Sequence, residues 1–410
     1  MKQRIELEAA CELVADKLKS FPNETVKLVN SSGRVLAEDV RAPIHQPPFD
    51  RSPLDCFAVR AEDTTGASDE TPVSLKIVSK LYAGDSPVKK IEPGEAARIM
   101  TGAPIPEGAD SVIRQERTEW DGDEVQIKAS LKPGQNYAPA GEDIKQGELL
   151  CEKGTLLRSP HLGVLASMGL EEVIVLPEPK VSVLTTGSEL QEVGEELKPG
   201  KIYNSNNYMI STRLKECGAK VINSQVAVDE KDILREKMAE LIPGADFLVT
   251  TGGVSVGEKD LILEVLEEMG AEIFFWKLAI KPGTPVVCGQ LDDTIIFGLS
   301  GNPAACITTF DLLVRPTLIK INGLKKENLR KDKAIFIDDF NKSSSTRRML
   351  RAWVVRTDKG NIVKLSKGNQ RPGVLKTTLD CNCFIDVPAG SPPVESGQEV
   401  EIFRLPEIYN

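Results

Sequence analysis

Apolar residues recur at two different spacings along the chain, and the change of spacing divides it into regions. Leu7, Ala10 and Val14 stand three or four residues apart, which predicts a helix with one buried face within residues 1–20. From residue 26 to about residue 177, short alternating runs lie between glycine and proline turn signals. This long segment is therefore predicted to be rich in β-strands.

From residue 180 the pattern changes to strand and helix in alternation. A buried run at 181–184 is followed by a helical pattern at 207–217, a strand pattern at 220–228 and a second helical pattern at 233–241. Such alternation favours parallel strands with helices on both faces of the sheet. The region is predicted to be an α/β domain.

The last strand of this region runs into a helix start signal. Ile295–Leu299 is an apolar run, Asn302 stands where an N-cap belongs, and Pro303 occupies the first helical position. The helix is expected to end near Arg315-Pro316. A charged linker follows, and strand patterns at 352–356, 384–387 and 400–403 predict a β-type unit at the end of the chain.

Length and charge limit the class of protein. A chain of 410 residues is expected to form about two to four domains. The formal net charge of -10 argues against a general nucleic-acid binder, which would present a basic face to phosphates. No apolar run reaches the roughly 18 residues of a membrane span, and the first residues do not resemble a signal peptide, so a cytoplasmic protein without membrane contact is expected.

The segment 246–260 combines a buried strand, a glycine loop and a helix start. Glycines let backbone amides turn toward an anion, and the following helix N-terminus adds partial positive charge. Ser255 lies in a G-x-S-x-G pattern, but both histidines, His45 and His161, precede it, which argues against the order of a hydrolase triad. Lys259-Asp260 replaces the Lys-Ser or Lys-Thr of a phosphate-binding Walker loop. The loop therefore predicts an anion and metal site.

Charged residues follow several of the predicted strands. Glu189, Asp229 and Asp260 each come after a strand, and ligands of open α/β sheets bind beyond the carboxyl ends of the strands. Three carboxylates at one edge could hold Mg²⁺ beside phosphate groups. Lys277 and Lys281, four residues apart around a strand end, could bracket an oxyanion.

Many motifs in order along nearly the whole chain resemble one family, the molybdopterin molybdotransferases, which include bacterial molybdenum-insertion enzymes and the E domain of gephyrin. The motifs that carry the resemblance are Ser32–Val40, Pro48–Asp55, Ile99–Asp110, Gly141–Asp143, Thr186–Leu190, Asp246–Asp260, Lys281–Gly283 and Gly301–Pro303. A series of this kind is far more specific than a single glycine loop.

The resemblance implies an elongated chain of four domains. They are a linker and dimerisation domain at 1–45 and 145–177, an inserted β-rich lobe at 46–144, a three-layer α/β domain with a mostly parallel sheet at 178–325, and a C-terminal β-barrel-like domain at 330–410. It also implies a homodimer, with each active site between the α/β domain of one subunit and the N-terminal lobe of the other.

The resemblance further implies a reaction. Family members take adenylylated molybdopterin and molybdate, release AMP in a Mg²⁺-dependent step and leave molybdenum on the dithiolene sulfurs. Other proteins of molybdenum-cofactor biosynthesis and apo-molybdoenzymes are the expected partners. The chain is predicted to be such a transferase.

Carried over position by position, the resemblance assigns two sets of residues. The catalytic set is Asp55, Thr101, Glu189, Asp229 and Asp260, of which Glu189, Asp229 and Asp260 are also the metal ligands. The substrate-binding set is Gly252, Gly253, Ser255, Gly257, Lys277, Lys281, Pro282, Gly301, Asn302, Pro303 and Arg351.

The chain departs from the family pattern at several positions. Cys56 stands where the family has glycine after the catalytic acid, Ser300 and Ala305 replace a proline and a serine, and Arg371-Pro372-Gly373 lacks the usual serines. Two hydroxyls expected near the oxyanion are thus missing, and a lost donor in a buried anion site costs about 1–3 kcal/mol. A tungstate-handling or non-catalytic paralogue that binds the cofactor, and a molybdopterin adenylyltransferase, remain alternatives.

Overall fold

A computed structural model of the chain describes residues 2–255, 261–325 and 328–406. The chain forms two compact units. One unit contains residues 1–24, 33–35 and 175–410, and the other contains residues 25–32 and 36–174. Asp260 and Gly257, two of the predicted site residues, lie outside the described residues.

Strands make up most of the regular structure, with helices concentrated in the first unit. The strands are β1 Lys2–Ile5, β2 Glu24–Lys27, β3 Val40–Arg41, β4 Cys56–Val59, β5 Val73–Leu81, β6 Glu95–Ile99, β7 Ser111–Arg114, β8 Thr118–Trp120, β9 Glu124–Ile127, β10 Leu149–Cys151, β11 Glu172–Val175, β12 Lys180–Thr186, β13 Leu190–Gln191, β14 Ile202–Tyr203, β15 Lys220–Ala227, β16 Phe247–Thr251, β17 Glu272–Leu278, β18 Ile280–Lys281, β19 Val287–Leu291, β20 Thr294–Leu299, β21 Arg330–Phe336, β22 Arg347–Thr357, β23 Gly360–Leu365, β24 Cys383–Val387 and β25 Glu399–Arg404. The helices are α1 Leu7–Asp16, α2 Ser159–Ser167, α3 Ser205–Glu216, α4 Lys231–Leu241, α5 Ile262–Glu268, α6 Pro303–Thr309 and α7 Arg315–Asn322.

The main sheet of the first unit has the strand order β1-β17-β19-β20-β16-β12-β15. β20, β16, β12 and β15 are parallel to one another, whereas β19 runs antiparallel to both of its neighbours. Leu184, Leu248 and Ile296 face a core layer formed with α4 and α5. Alternate strand residues such as Val249 and Phe297 are also fully buried, so the sheet is covered on both faces. The α/β domain with a mostly parallel sheet is confirmed.

The end of the chain forms a closed β-barrel, also in the first unit. Its strands follow the order β22-β23-β21-β25-β24, and β24 pairs back with β22. Phe336, Leu350, Val363 and Ile402 are among the side chains that fill its interior. Closure leaves no open edge within the ring, and β18 pairs with the start of β22. The predicted C-terminal β-barrel-like domain is confirmed.

The second unit is built around a sheet of order β7-β4-β6-β5-β9-β8. Successive residues of β4 face opposite sides, as strand geometry requires. Cys56 and Ala58 pack in one apolar cluster, and Phe57 and Val59 pack in another. Two-stranded ribbons, β3 with β10 and β2 with β11, lie outside this sheet. The β-rich segment expected from the alternating pattern is confirmed.

The helix predicted within residues 1–20 is confirmed as α1, and a strand, β1, parallel to β17, precedes it. One predicted helix end was wrong. The helix that starts at Pro303 does not end at Arg315-Pro316, because a π-helical turn over Phe310–Val314 leads into α7. That turn places Pro316 in the first turn of α7, where a missing amide hydrogen costs little.

Helix length bears on membrane contact. Within residues 2–255, 261–325 and 328–406, none of the helices is both long and apolar enough to cross a bilayer.

Candidate active site

Four neighbouring parallel strands of the first unit end at one edge of the sheet, and the predicted glycines and acids follow them. In the order of the sheet, Gly301 follows β20, Gly252 follows β16, Gly187 follows β12 and Asp229 follows β15. The carboxyl ends of parallel strands form a crevice in which ligands bind in open α/β folds. We call this set of loops the strand-end crevice.

The glycine loop after β16 approaches its neighbours too closely for side chains. Gly252 has φ +99° and its amide donates to the carbonyl of Leu299 at 3.0 Å. A Cβ atom on Gly252 would lie 2.4 Å from the carbonyl oxygen of Thr186, and one on Gly301 would lie 3.3 Å from Cα of Gly252. Glycine is therefore required at Gly252 for both its conformation and its space. Ser255, at the end of the described loop, is exposed.

The acids Glu189 and Asp229 converge on one short segment, Gly187–Glu189. Oδ2 of Asp229 accepts a hydrogen bond from the amide of Ser188 at 3.0 Å. The carboxylate of Glu189 folds back over Gly187, so that a Cβ atom there would lie 2.8 Å from Oε2. Both residues are at least partly accessible to solvent. The structure brings these two predicted metal ligands to the same strand end.

Magnesium suits the donor atoms that lie here. Carboxylate and hydroxyl oxygens are its usual protein ligands. The hydroxyl oxygen of Thr186, at the end of β12, is buried and has no hydrogen-bond partner among the described residues. The described residues contain no group of three metal-ligating side chains, and Asp260, the third predicted ligand, lies outside them. The Mg²⁺ site thus stays a prediction. The positions of the two described acids, Glu189 and Asp229, agree with it.

Asn206 is a crevice residue that the motif comparison did not single out. It lies in the first turn of α3, and its Nδ2 donates to the carbonyl of Gly301 at 2.9 Å. Its Oδ1 is buried and has no hydrogen-bond partner among the described residues. Asn204 caps the same helix by accepting from the amide of Asn207. The run Asn204-Ser205-Asn206-Asn207 before a helical pattern was the available signal, since such residues favour helix starts.

A cavity of about 440 Å³ lies beside the crevice, between the α/β domain and the barrel. Its described lining includes four basic side chains and none that is acidic. The basic residues are Lys281, Lys342, Arg348 and Arg371. Ser300 and Asn302 also line it, and they flank the crevice residue Gly301. We call this space the cationic cavity, and it adjoins the crevice through the Ser300–Asn302 loop.

The predicted lysines occupy different surroundings. Lys281 is exposed and lines the cationic cavity together with Pro282. Lys277 is not among the lining residues; its Nζ lies 3.6 Å from the ring centroid of Trp276, and its amide donates to Val286. The structure thus places Lys281, and not Lys277, at the wall of this cavity.

Arg351 lies behind the cavity wall. Its side chain is fully buried, with Nε donating to Oγ1 of Thr377 at 2.6 Å and Nη2 donating to the carbonyl of Arg371 at 3.2 Å. Its backbone amide donates to Oε1 of Gln370. Burial lowers the pKa of its guanidinium from the ordinary value. Arg351 therefore positions the Gln370–Arg371 segment, and Arg348 is the arginine of β22 that reaches the cavity.

Asp55 and Thr101, the predicted pair from the N-terminal region, are in direct contact within the second unit. Oδ1 of Asp55 accepts hydrogen bonds from the amide of Thr101 at 2.8 Å and from its hydroxyl at 2.9 Å. These two bonds, the amide bond first, hold the pKa of the Asp55 carboxyl below its ordinary value, and Arg98 contributes in the same direction. The carboxylate is exposed and ready to act as an anion.

Comparisons with known proteins cover the whole of this architecture. Three family models match in succession: the MoeA N-terminal region (domains I and II) at residues 5–169, a "Probable molybdopterin binding domain" at 182–320, and the MoeA C-terminal region (domain IV) at 333–405. A molybdopterin molybdenumtransferase of Staphylococcus epidermidis is 36% identical over 398 residues, which is 97% of this chain and 95% of the relative. The chain belongs to the MoeA family. The Bacillus subtilis molybdopterin molybdenumtransferase is 37% identical over 98% of this chain and 94% of its own length.

Solved structures of the MoeA family give the same result. A molybdopterin biosynthesis MoeA protein from Pyrococcus horikoshii superposes with a TM-score of 0.82 at 34% identity, covering 98% of this chain and 99% of its own. A second structure of a MoeA protein from that organism has a TM-score of 0.70 at 31% identity, covering 98% of this chain and all of its own. These findings confirm the family, the fold and the enzyme class, a transferase, that the motifs implied.

The departures from the expected MoeA pattern fall into two groups. Ser300, Ala305, Arg371 and Pro372 all line the cationic cavity. Cys56 does not belong to an accessible site, because its side chain is 2% exposed and packs in an apolar cluster of the second unit. Burial raises the pKa of the Cys56 thiol to about 11, so the thiol is neutral and unreactive. The departures that can bear on ligand binding are therefore those that line the cavity.

Proposed function

We propose that the chain transfers molybdenum from molybdate to molybdopterin, taking the pterin in its adenylylated form and releasing AMP. The observation that carries this proposal is the position of the Ser300–Asn302 loop. Gly301 closes against Gly252 in the strand-end crevice, while Ser300 and Asn302 line the cationic cavity. An elongated substrate with several negative charges can therefore contact both spaces at once.

The cationic cavity is the proposed oxyanion site. Lys281, Arg348 and Arg371 supply positive charge to a protein whose formal net charge is -10. Fixed cations in a partly enclosed space stabilise an oxyanion more strongly than mobile cations in water. Asn302 and Ser300 add polar atoms to the same wall. Molybdate would be held here beside the end of the pterin that carries the dithiolene.

The strand-end crevice is the proposed adenylate site. The glycine loop after β16 would lie against the phosphates, and Glu189 and Asp229 would hold Mg²⁺ together with the predicted ligand Asp260. The bound ion would offset the negative charge of the pyrophosphate. Water adds across the phosphoanhydride P–O bond, which gives AMP and the pterin phosphate. The two dithiolene sulfurs then replace one oxygen of molybdate, which leaves as water with the two thiol protons.

We also infer a cytoplasmic homodimer. In this arrangement Asp55 and Thr101 of one subunit would lie at the crevice of the other. The exposed carboxylate of Asp55 would then contribute to that site. Other proteins of molybdenum-cofactor biosynthesis and apo-molybdoenzymes would deliver the substrate and receive the product. The formal net charge of -10 argues against nucleic acid as a partner.

Release of AMP tests the proposal. Purified protein incubated with adenylylated molybdopterin, molybdate and Mg²⁺ should release AMP and activate an apo-molybdoenzyme. Asp229→Asn should slow the release by about tenfold or more, because a lost charge-assisted contact costs about 1.5–3 kcal/mol. Asp232→Asn is the matched control, since this acid lies three residues away on the exposed face of α4. Its rate should equal that of the unaltered protein.

Two results would contradict the proposal. Binding of the adenylylated pterin without AMP release, unaffected by Asp55→Ala, would indicate a non-catalytic cofactor-binding protein. Formation of pyrophosphate from ATP and molybdopterin would indicate an adenylyltransferase.

A further inference from the structure

A second cavity lies at one end of the C-terminal barrel and shares no described lining residue with the cationic cavity. It has a volume of about 590 Å³. Its wall is formed by the start of β21, the end of β25 and the hairpin between β22 and β23. Three arginines from three different strands, Arg330, Arg356 and Arg404, line it. The cavity is large enough for a small organic ligand.

The strand register forces two of these arginines together. Arg330 of β21 is directly opposite Arg404 of β25 in an antiparallel pair. Directly opposite side chains share a face of the sheet and have Cβ atoms about 4.5–5.5 Å apart, and like charges in such a pair are destabilising. Arg356 is opposite Asn361, another residue of the same cavity. The barrel thus brings three arginines together at a place where the fold itself does not need positive charge.

The cavity's acid does not cancel this charge. Asp332 accepts at Oδ2 from Nε of Arg404 at 2.7 Å and from Nδ2 of Asn361 at 3.0 Å. Its Oδ1 accepts from the amide of Lys333 at 2.8 Å. Asp332 therefore forms its ion pair with Arg404. Neither Arg330 nor Arg356 forms an ion pair with a carboxylate among the described residues.

The remaining basic residue of the wall is directed elsewhere. Nζ of Lys331 lies 3.9 Å from Oε1 of Glu8 and 5.3 Å from the ring centroid of Phe403. It follows Arg330 on the strand and so faces the other side of the sheet. The net charge of the cavity is carried by the guanidinium groups. Guanidinium groups present forked donors that match phosphate oxygens, unlike the compact ammonium of lysine.

We propose that this cavity, which we call the barrel-end cavity, binds a small molecule that carries phosphate. Arg330 and Arg356 donate to the phosphate oxygens, and Arg404 stays anchored by Asp332. The bound anion relieves the repulsion between Arg330 and Arg404. The site lies outside the crevice and the cationic cavity, and its occupation does not depend on the proposed transferase reaction.

Calorimetric titration with inorganic pyrophosphate and, separately, with ADP tests the site on the full chain. In the double variant Arg330→Gln/Arg356→Gln, one binding site for each probe should be lost or weakened at least tenfold, while any site in the strand-end crevice is retained. The single variant Arg356→Gln should show a smaller loss in the same direction. Tighter binding of ADP than of pyrophosphate would support the site and add a nucleoside to its ligand.

Two controls separate this site from others. Lys364→Gln changes an exposed lysine of β23 outside the barrel-end cavity and should leave the titration unchanged. Lys281→Gln weakens the cationic cavity and should leave one pyrophosphate site intact.

Thermal unfolding provides a second readout. Phosphate should raise the Tm of the unaltered protein, while the double variant should be at least as stable in chloride and should gain less from phosphate. The proposal is overturned by equal binding in the double variant, by pyrophosphate binding that disappears only with Lys281→Gln, or by no binding at millimolar probe concentrations.

Discussion

At the scale of single residues, the contact between Thr101 and Asp55 fixes the position of an exposed carboxylate in the N-terminal region. The amide and the hydroxyl of Thr101 donate to the same oxygen, Oδ1, and leave Oδ2 without a bond from Thr101. An exposed carboxylate with a lowered pKa stays ionised as the pH falls. Thr101 is thus a positioning residue for Asp55.

Thr101→Val removes the hydroxyl bond and keeps the amide bond. The pKa of Asp55 should rise toward its ordinary value, because the ionised form loses one of its two donors. Titration of the Asp55 carboxyl carbon by NMR measures the shift. The pKa of Asp55 is lower in the folded than in the unfolded protein. The contact therefore stabilises the fold at pH values above the unfolded-state pKa, and this stabilisation is lost as the pH falls through the folded-state pKa.

Thr118→Val serves as the control for that titration. The hydroxyl of Thr118 donates to a backbone carbonyl and does not contact Asp55. An Asp55 titration that is identical in Thr101→Val and the unaltered protein would show that the hydroxyl contributes nothing.

The choice between Arg348 and Arg351 shows what residue patterns leave open. The two arginines are three positions apart on one strand and therefore face opposite sides, since side chains alternate. Which side faces the cavity depends on how β22 pairs with β18 and β24, and these contacts are distant in sequence. The resemblance assigned substrate binding to Arg351, whereas the structure buries Arg351 and places Arg348 at the wall of the cavity.

At the scale of secondary-structure elements, the π-helical turn Phe310–Val314 joins α6 to α7 and carries a buried ion pair. Asp311 Oδ1 lies 2.9 Å from Nη2 of Arg315 and accepts from its Nε at 3.0 Å. Arg213 of α3 approaches the other carboxylate oxygen at 3.5 Å. Asp311 and Arg315 are fully buried. The turn thus links three helices through one carboxylate.

Asp311→Ala should destabilise the first unit by about 3–5 kcal/mol, because it leaves buried guanidinium charge without its carboxylate. Urea unfolding followed by circular dichroism measures this cost. Glu264→Gln removes one partner of a solvent-exposed pair with Lys231 and should cost less than about 1 kcal/mol. A similar small cost for both variants would show that the buried carboxylate is not essential.

Local signals predicted some helix boundaries and missed others for a physical reason. Asn302 occupies the N-cap position of α6, without a side-chain cap hydrogen bond, and Pro303 begins the helix as predicted, because this signal depends on neighbouring residues only. The helix continues past Pro316 because a π-helical turn shifts the pattern, and that turn is stabilised by the contact with Arg213, about 100 residues away. A short-range pattern does not contain such information.

At the scale of the whole molecule, the candidate site of the first unit joins spaces made by distant segments. The crevice comes from strand ends, which the alternation of strands and helices predicted. The cationic cavity comes from Lys281, Lys342, Arg348 and Arg371, which lie on separate segments of the α/β domain and the barrel. The sequence pointed to the segments of Lys281 and Arg371. Only the fold shows that four cations surround one cavity. The metal site stays a prediction, since Asp260 lies outside the described residues.

The account's central claim is that the cationic cavity holds the oxyanion of the transferase reaction. The most direct measurement is the molybdate concentration that gives half-maximal AMP release, compared among the unaltered protein, Arg348→Gln and the exposed-lysine control Lys364→Gln. A lost charge-assisted contact of at least about 1.4 kcal/mol predicts a rise of tenfold or more for Arg348→Gln and no change for Lys364→Gln. An unchanged half-maximal concentration in Arg348→Gln would contradict the claim.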